Sequence, residues 1–235
     1  MKQNYCAFCS EKISGEVCDC CGRSITDYHT APHWLLPGTV LAGKYEVGAV
    51  LGEGGFGITY IGRDTNLDMK VAIKEYFPSG VVNRNNTSSM EISALVGDTQ
   101  SNFEKGKQGF LSEARTLAKF SNEQSIVSVR DFFEENNTAY IVMEYLEGID
   151  LKDFIAQNGK MSFSLAISML SPIMTSLSKI HSQGLIHRDI SPANIMILNN
   201  RTVKLLDFGA ARNVSGADEK SLSVLLKPGF APDEQ

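Results

Sequence analysis

The stretch His187-Arg188-Asp189-Ile190-Ser191-Pro192-Ala193-Asn194, followed thirteen positions later by Asp207-Phe208-Gly209, decides how this chain is read. Either His-Arg-Asp or Asp-Phe-Gly alone fits an ordinary surface turn. Here they flank the apolar run Ile195-Met196-Ile197-Leu198, a polar turn at Asn199-Asn200-Arg201 and the run Val203-Lys204-Leu205-Leu206. That pattern predicts a short β-hairpin, which returns both polar loops to one end of a sheet.

Two carboxylates and a carboxamide gathered in this way suit phosphoryl transfer. A hydroxyl attacking a γ-phosphate needs a carboxylate to orient it and take its proton, and oxygen ligands for the cation on the phosphates. Asp189 fits the first need, Asn194 and Asp207 the second. In these residues the chain resembles the protein-kinase family, specifically the bacterial relatives of eukaryotic serine/threonine kinases. The resemblance covers roughly residues 43–235. It implies an α+β, two-lobed fold with ATP and Mg²⁺ as cofactors and a protein hydroxyl as phosphate acceptor. The N-lobe with its hinge is expected over 43–147 and a partial helical C-lobe over 148–235. The competing expectation is a pseudokinase or scaffold that binds nucleotide and recruits partners.

With 235 residues, 43% hydrophobic and 21% charged, the chain has room for one large domain and a small appendage. Its 22 Lys and Arg against 27 Asp and Glu give a formal charge of -5, no footprint for nucleic acid or an anionic membrane. No uninterrupted apolar run is long enough to span a bilayer, and the N-terminus lacks the apolar core of a signal peptide. The expectation is a cytoplasmic protein.

All five cysteines lie between positions 6 and 21. Cys6-x2-Cys9 and Cys18-x2-Cys21 supply four thiolates in two knuckles, the pattern of a tetrahedral zinc site, with Cys20 as a spare thiol. A segment as short as 1–28 buries too little to fold alone, so zinc is expected to stabilise this ribbon. Residues 1–28 carry three basic side chains (Lys2, Lys12, Arg23) against four acidic ones (Glu11, Glu16, Asp19, Asp27), which favours a protein partner for the ribbon over nucleic acid. Residues 29–42, with Pro32, Pro37 and Gly38, read as a linker that Trp34, Leu35 and Leu36 could anchor.

Next come a strand at Val47–Leu51, the run Gly52-Glu53-Gly54-Gly55-Phe56-Gly57, and a second strand at Ile58–Ile61. Glycines between two strands argue against a Rossmann site and for a hairpin lid over ATP. Gly52, Gly54 and Gly57 would let main-chain N–H groups approach phosphates. Val71-Ala72-Ile73-Lys74 gives a strand whose lysine, by the resemblance, contacts the α and β phosphates. Its expected carboxylate partner is Glu113, at the border of the stripe Phe110, Ala114, Leu117. Glu104 is the alternative, in a more solvated setting. The long separation from Lys74 to Glu113 implies an insertion around Gly80–Ser101. Thr138–Met143 reads as a strand running into the hinge Glu144–Gly148. There the resemblance assigns Met143 to the back of the adenine pocket, the main chain of Glu144 and Leu146 to the adenine edge, and Asp150 to the ribose. Thr59, Ala72 and Met196 would sandwich the base.

From Ser162 to His181 the apolar residues Leu170, Ile173, Met174, Leu177 and Ile180 keep a helical period, with a stop at Gly184 and a bend at Pro172. His181 and His187 are read as braces for loops. The family's usual lysine two residues after the catalytic aspartate is Ser191 here, and Lys227 stands where a threonine is usual, by alignment through Phe230 and Glu234. The expectation is an exchange: Lys227 supplies the ammonium and Ser191 the hydroxyl bond to Asp189. Ser215, Ser221 and Ser223 are candidate phosphorylation sites that would pair with Arg188. The sequence stops after this segment, so a piece of a longer chain is expected, with apolar surface exposed on the helix at 162–183 and little activity alone.

Overall fold

The alternating patterns fold as strands, and two glycine- or asparagine-rich turns join them. The computed structural model describes residues 5–84, 89–94, 99–207 and 212–213. It divides into two compact units: Met1–Ala114 with Val129–Tyr145, and Arg115–Ser128 with Leu146–Gln235.

In the first unit a small cysteine module and a short 3-10 turn, Ile25–Asp27, precede β1 (Val40–Leu41), β2 (Tyr45–Gly54), β3 (Gly57–Asp64) and β4 (Met69–Tyr76). A short hairpin, β5 (Val82–Asn83) and β6 (Ser93–Ala94), leads to helix α1 (Thr99–Ala118), and β7 (Val129–Glu135) and β8 (Thr138–Glu144) follow. The six-stranded antiparallel sheet runs β1-β2-β3-β4-β8-β7. Asn136 and Asn137, both at positive φ, make the two-residue turn that joins β7 to β8.

The pleat sorts this sheet into two faces. Val71, Ile73, Tyr60, Tyr140 and Val142 are buried on one; Thr59, Ala72, Lys74 and Met143 are half-buried on the other. Helix α1 packs near the end of β4 through Tyr76, whose ring lies 5.4 Å from Phe103 and 5.5 Å from Phe110. An ion pair lies on the buried face. Glu75 on β4 binds both terminal nitrogens of Arg84, and each partner's side chain is fully buried. Tyr60 and Tyr140 donate their hydroxyls to the same carboxylate at 3.0 and 2.6 Å. Burial, reinforced by the Glu75 charge, pushes both phenols up, so they stay protonated donors.

Arg84 belongs to the segment that reads as an insertion, and its role is now visible. Its guanidinium also donates to the carbonyls of His33 and Met90, at 3.0 and 2.9 Å, so one cation ties the sheet, the preceding segment and the insertion together. Residues 29–42 are therefore no free tether. Leu35 is buried with its N–H on the Tyr60 hydroxyl at 3.2 Å, and Val40 and Leu41 add β1 to the sheet. Leu36, by contrast, leaves its side chain exposed.

The second unit contains β9 (Gly148–Asp150), α2 (Leu151–Asn158), α3 (Phe163–Ser182), β10 (Leu185–Ile186), β11 (Ile195–Leu198), β12 (Val203–Leu205) and β13 (Arg212–Asn213). The hairpin that the sequence predicts is the β11–β12 pair, extended by β9 into a sheet of order β12-β11-β9. Helix α3 is capped by the Ser162 hydroxyl on the Leu165 N–H, runs through Pro172, and ends before Gly184 at φ 77. By length and composition α3 is apolar enough to cross a membrane. Ile173, Leu177 and Ile180 are nevertheless buried, and Ser176 and Lys179 bind Glu123, as in a helix of a folded lobe. Phe163, Leu165, Ile167 and Met174 are exposed, as expected for this helix.

Arg84→Ala leaves the Glu75 carboxylate buried without its cation. It is expected to cost about 3–5 kcal/mol, read as a lowered urea midpoint at unchanged m-value.

Candidate functional site

In the first unit, β2 and β3 form a hairpin with Gly55 and Phe56 at its tip, since Gly54 pairs with Gly57, Glu53 with Ile58 and Gly52 with Thr59. The glycines have different reasons to be there. A Cβ on Gly57 would sit 2.3 Å from the Glu75 carbonyl, so the neighbouring strand forbids a side chain. Around Gly52 and Gly54 there is open space, and neither requires positive φ. Thr59 pairs with Lys74, Ala72 with Met143, and Gly52 with Thr59, so these residues share the half-buried face. The ammonium of Lys74 lies 6.0 Å from the centre of the Phe110 ring. Glu113, half-buried, follows Phe110, whose ring packs on Tyr76 of β4, by about one turn of α1. Glu104 is committed to Lys107 at 2.9 Å, on the solvated side.

The second unit builds the polar loops. His187 is buried; its Nδ1 accepts the Asp189 N–H at 3.2 Å, which leaves Nε2 as the donor to the Leu206 carbonyl at 2.9 Å. The imidazole is thus a neutral brace, as its position suggests. The Leu206 N–H in turn donates to the Asn194 carbonyl at 2.8 Å. Leu206 is gripped from both ends, by His187 and by Asn194, which places Asp207 beside the 187–194 loop. The Asn194 amide nitrogen donates to the Asp189 carboxylate at 2.9 Å and to its carbonyl at 2.8 Å. With nitrogen committed inward, the amide oxygen is the atom left for a cation. Arg188 and Asp207 hold φ values of 66 and 54, a conformation uncommon for residues with a side chain and concentrated at functional sites.

Asp150 and Met196 are paired across β9 and β11. The Asp150 carboxylate caps α2 through the Asp153 N–H at 2.8 Å, a role the sequence reading did not foresee. Ser191 is buried at the start of a 3-10 turn, Pro192–Asn194. His181 is exposed and contributes its main-chain carbonyl, on which Gly184 is bound. Phe208, Gly209, Ser215, Ser221, Ser223, Lys227, Phe230 and Glu234 lie outside the described residues.

The cysteine module is two copies of one turn offset by twelve residues. Cys6 N–H donates to Glu11 O and Ser10 N–H to Cys6 O; Cys18 N–H donates to Arg23 O and Gly22 N–H to Cys18 O. Ser10 and Gly22 both have positive φ, at 57 and 70. The four sulfurs of Cys6, Cys9, Cys18 and Cys21 lie within 4.8 Å of one another. Cys6–Cys21 and Cys9–Cys18 are 3.7 and 3.6 Å apart, close to the roughly 3.8 Å edge of a tetrahedron with Zn–S bonds of about 2.3 Å. The main-chain N–H of Cys21, aided by that of Cys20, lowers the Cys18 thiol to about 7, while burial raises Cys6 and Cys9. A cation at the centre is what would let all four ionise. Cys20 is exposed and outside the cluster.

This module is docked, not tethered. Strand β2 bulges between Val47 and Val50, which turns the Ala49 N–H out to the Ala7 carbonyl at 2.7 Å. A Cβ on Gly48 would lie 2.6 Å from that carbonyl. Ser10 Oγ donates to Gly62 O at 3.2 Å and Arg63 to Ser10 O at 2.6 Å. A lone glycine in a strand pattern signals such a close approach, and Gly48 was the available clue.

A family model described as "Protein kinase domain" matches residues 45–234. The chain is 32% identical over 180 residues to a probable serine/threonine-protein kinase of Clostridium perfringens, covering 77% of this chain and 23% of that protein. Against serine/threonine-protein kinase PrkC of Bacillus subtilis the identity is 31% over 181 residues, 77% of this chain and 25% of that one. A solved structure titled "PpkA-294 apo form" superposes with a TM-score of 0.74 at 37% identity, covering 86% of this chain and 71% of that chain. This chain belongs to the protein kinase family, with the serine/threonine kinases of bacteria as its relatives. It spans about a quarter of the length of the two curated relatives just named.

Gly57→Ala is expected to lower the melting temperature by several degrees, because the Glu75 carbonyl has to move, whereas Gly52→Ala leaves it within about a degree. Differential scanning calorimetry separates the two.

Proposed function

We propose that this chain binds ATP with Mg²⁺ and transfers the γ-phosphate to serine or threonine hydroxyls of protein substrates. The observation that carries the nucleotide reading is the open space at Gly52 and Gly54 on the same sheet face as Lys74. Nothing among the described residues requires glycine there. A ligand that must meet main-chain N–H groups does.

On this reading Lys74 pairs with phosphate oxygens and Glu113 orients it. Thr59, Ala72, Met143 and Met196 supply apolar contact to the base, the main chain of Glu144 and Leu146 meets its edge, and Asp150 has a second carboxylate oxygen beyond its cap for the ribose. Asn194 and Asp207 hold Mg²⁺, which when bound neutralises phosphate charge. Asp189, its carboxylate fixed by the Asn194 amide, orients the acceptor hydroxyl and takes its proton. Lys227 replaces the family's catalytic-loop lysine, and Ser191 hydrogen-bonds Asp189.

Zinc is the natural occupant of the four-thiol cluster, and a reducing compartment such as the cytoplasm suits thiolates kept for a metal. The ribbon is a structural part of the first unit and a surface for a protein partner, and not a nucleic-acid module. The second reading, a nucleotide-binding scaffold, draws on Ser191 standing in the lysine position.

A γ-phosphate transfer assay to a generic protein acceptor distinguishes the two. Asp189→Asn is expected to lower transfer by at least about a thousandfold while nucleotide still binds, and Lys227→Ala to lower it about tenfold or more. A wild-type chain that binds nucleotide yet transfers nothing would support the scaffold.

Metal analysis is expected to give one zinc per chain. Cys6→Ser or Cys18→Ser should lose it and lower the melting temperature, and Cys20→Ser should change neither.

A further inference from the structure

Glu53 stands inside the glycine-rich hairpin yet is turned away from the face the other residues use. It pairs with Ile58, so its side chain lies opposite Gly52 and Thr59, on the side of Glu75 and the segment before the sheet. Both carboxylate oxygens are occupied there. His33 Nε2 meets Oε1 at 2.9 Å, and Trp34 Nε1 donates to Oε2 at 2.9 Å.

The two donors are consecutive residues, and each is held. The His33 carbonyl accepts from Arg84, its ring lies 5.5 Å from that of Phe77, and the following Leu35 is buried with its N–H on Tyr60. The far side of the tip is tied by main chain: Phe77 N–H to Phe56 O at 3.1 Å and Ser79 N–H to Gly55 O at 3.0 Å. A hairpin with glycine at 52, 54, 55 and 57 has a large conformational freedom to lose, and the Glu53 side chain helps fix it from behind.

We propose that His33 and Trp34 are positioning residues: a latch that grips Glu53, sets the glycine-rich hairpin from the face opposite the nucleotide, and thereby raises nucleotide affinity. This rests on the nucleotide reading given above. The latch acts in two ways. It orders the hairpin during folding, so less ordering remains to be done when a ligand arrives. It also keeps a carboxylate that flanks two open glycines from swinging toward phosphates, where like charges repel. Both effects strengthen binding and neither touches the transfer step, so loss of the latch raises KM for nucleotide and leaves kcat in place.

Trp34 is the one tryptophan of the chain, so its emission reports the latch directly. In the 235-residue protein, titration with Mg-ADP is expected to change Trp34 fluorescence, saturating at the concentrations at which calorimetry shows binding. Trp34→Phe, which removes the N–H and keeps an aromatic ring, and Glu53→Ala are each expected to weaken nucleotide binding about three- to tenfold with unchanged melting temperature. The double variant should bind no more weakly than Glu53→Ala alone, and Glu53→Gln, which keeps an acceptor oxygen, should recover part of the loss. Wild-type affinity in both single variants, additive losses, or emission indifferent to saturating Mg-ADP overturns the latch. Calorimetry showing no binding to the unaltered chain, in a preparation that is folded, overturns the nucleotide reading itself and the latch with it.

Discussion

The fold of the first unit depends on the buried pair of Glu75 and Arg84. A carboxylate and a guanidinium removed from water are costly unless every polar atom finds a partner. Here the carboxylate takes two tyrosine hydroxyls besides the cation, and the cation takes two main-chain carbonyls besides the carboxylate. The set is satisfied only when three separate segments arrive together: the central strand, the segment before the sheet, and the insertion after β4. Hydrophobic contacts alone would tolerate a shifted insertion; this network does not. It also fixes the register of β4, and Lys74 is the residue next to Glu75.

The cysteine module extends the same logic with a different bond. Its short turns have too little core to persist unaided. The sulfur tetrahedron organises its interior, and the sheet organises its exterior through the Ala49–Ala7 bond, the Ser10–Gly62 bond and Arg63. The bulge in β2 is what makes this contact: by breaking the ladder it releases one N–H that an even strand would have spent on its neighbour. Ribbon and sheet therefore share hydrogen bonds that neither has alone.

Much of this was legible in residue order. The β11–β12 hairpin, the strands flanking the glycines and the helix from Ser162 to His181 with its stop at Gly184 follow from local period and turn chemistry, and local signals survive in the sequence; the bracing role of His187 came from the family resemblance. The four-thiol cluster was legible because its spacing is itself a geometry. What was hidden depends on contacts between segments distant in the chain. Nothing around Arg84 announces that it will enter the core, Trp34 reads as an anchor for the linker with nothing to name Glu53 as its partner, and the linker reads as a linker because its partners lie on β2, β3 and β4. Asp150 was read for a ligand contact, and the role the structure shows is the cap on α2, a local signal that the reading passed over. The glycines show the limit most sharply: one spacing pattern covers Gly57, which packing requires, and Gly52 and Gly54, which it does not.

The pleat of the glycine-rich hairpin has one more consequence, and it concerns length rather than residue type. Even-numbered positions 52 and 54 look one way and position 53 the other, so front and back are assigned by counting. The ladder is already irregular between Val50 and Gly52 and regular from Gly52 to Gly54, so a single residue inserted or deleted within that regular stretch would reverse the assignment, sending the carboxylate forward and a glycine back to His33 and Trp34. Substitutions in this hairpin can be tolerated one position at a time. A frame change of one cannot, and the number of residues on this arm of the hairpin is constrained more tightly than the identity of most of them.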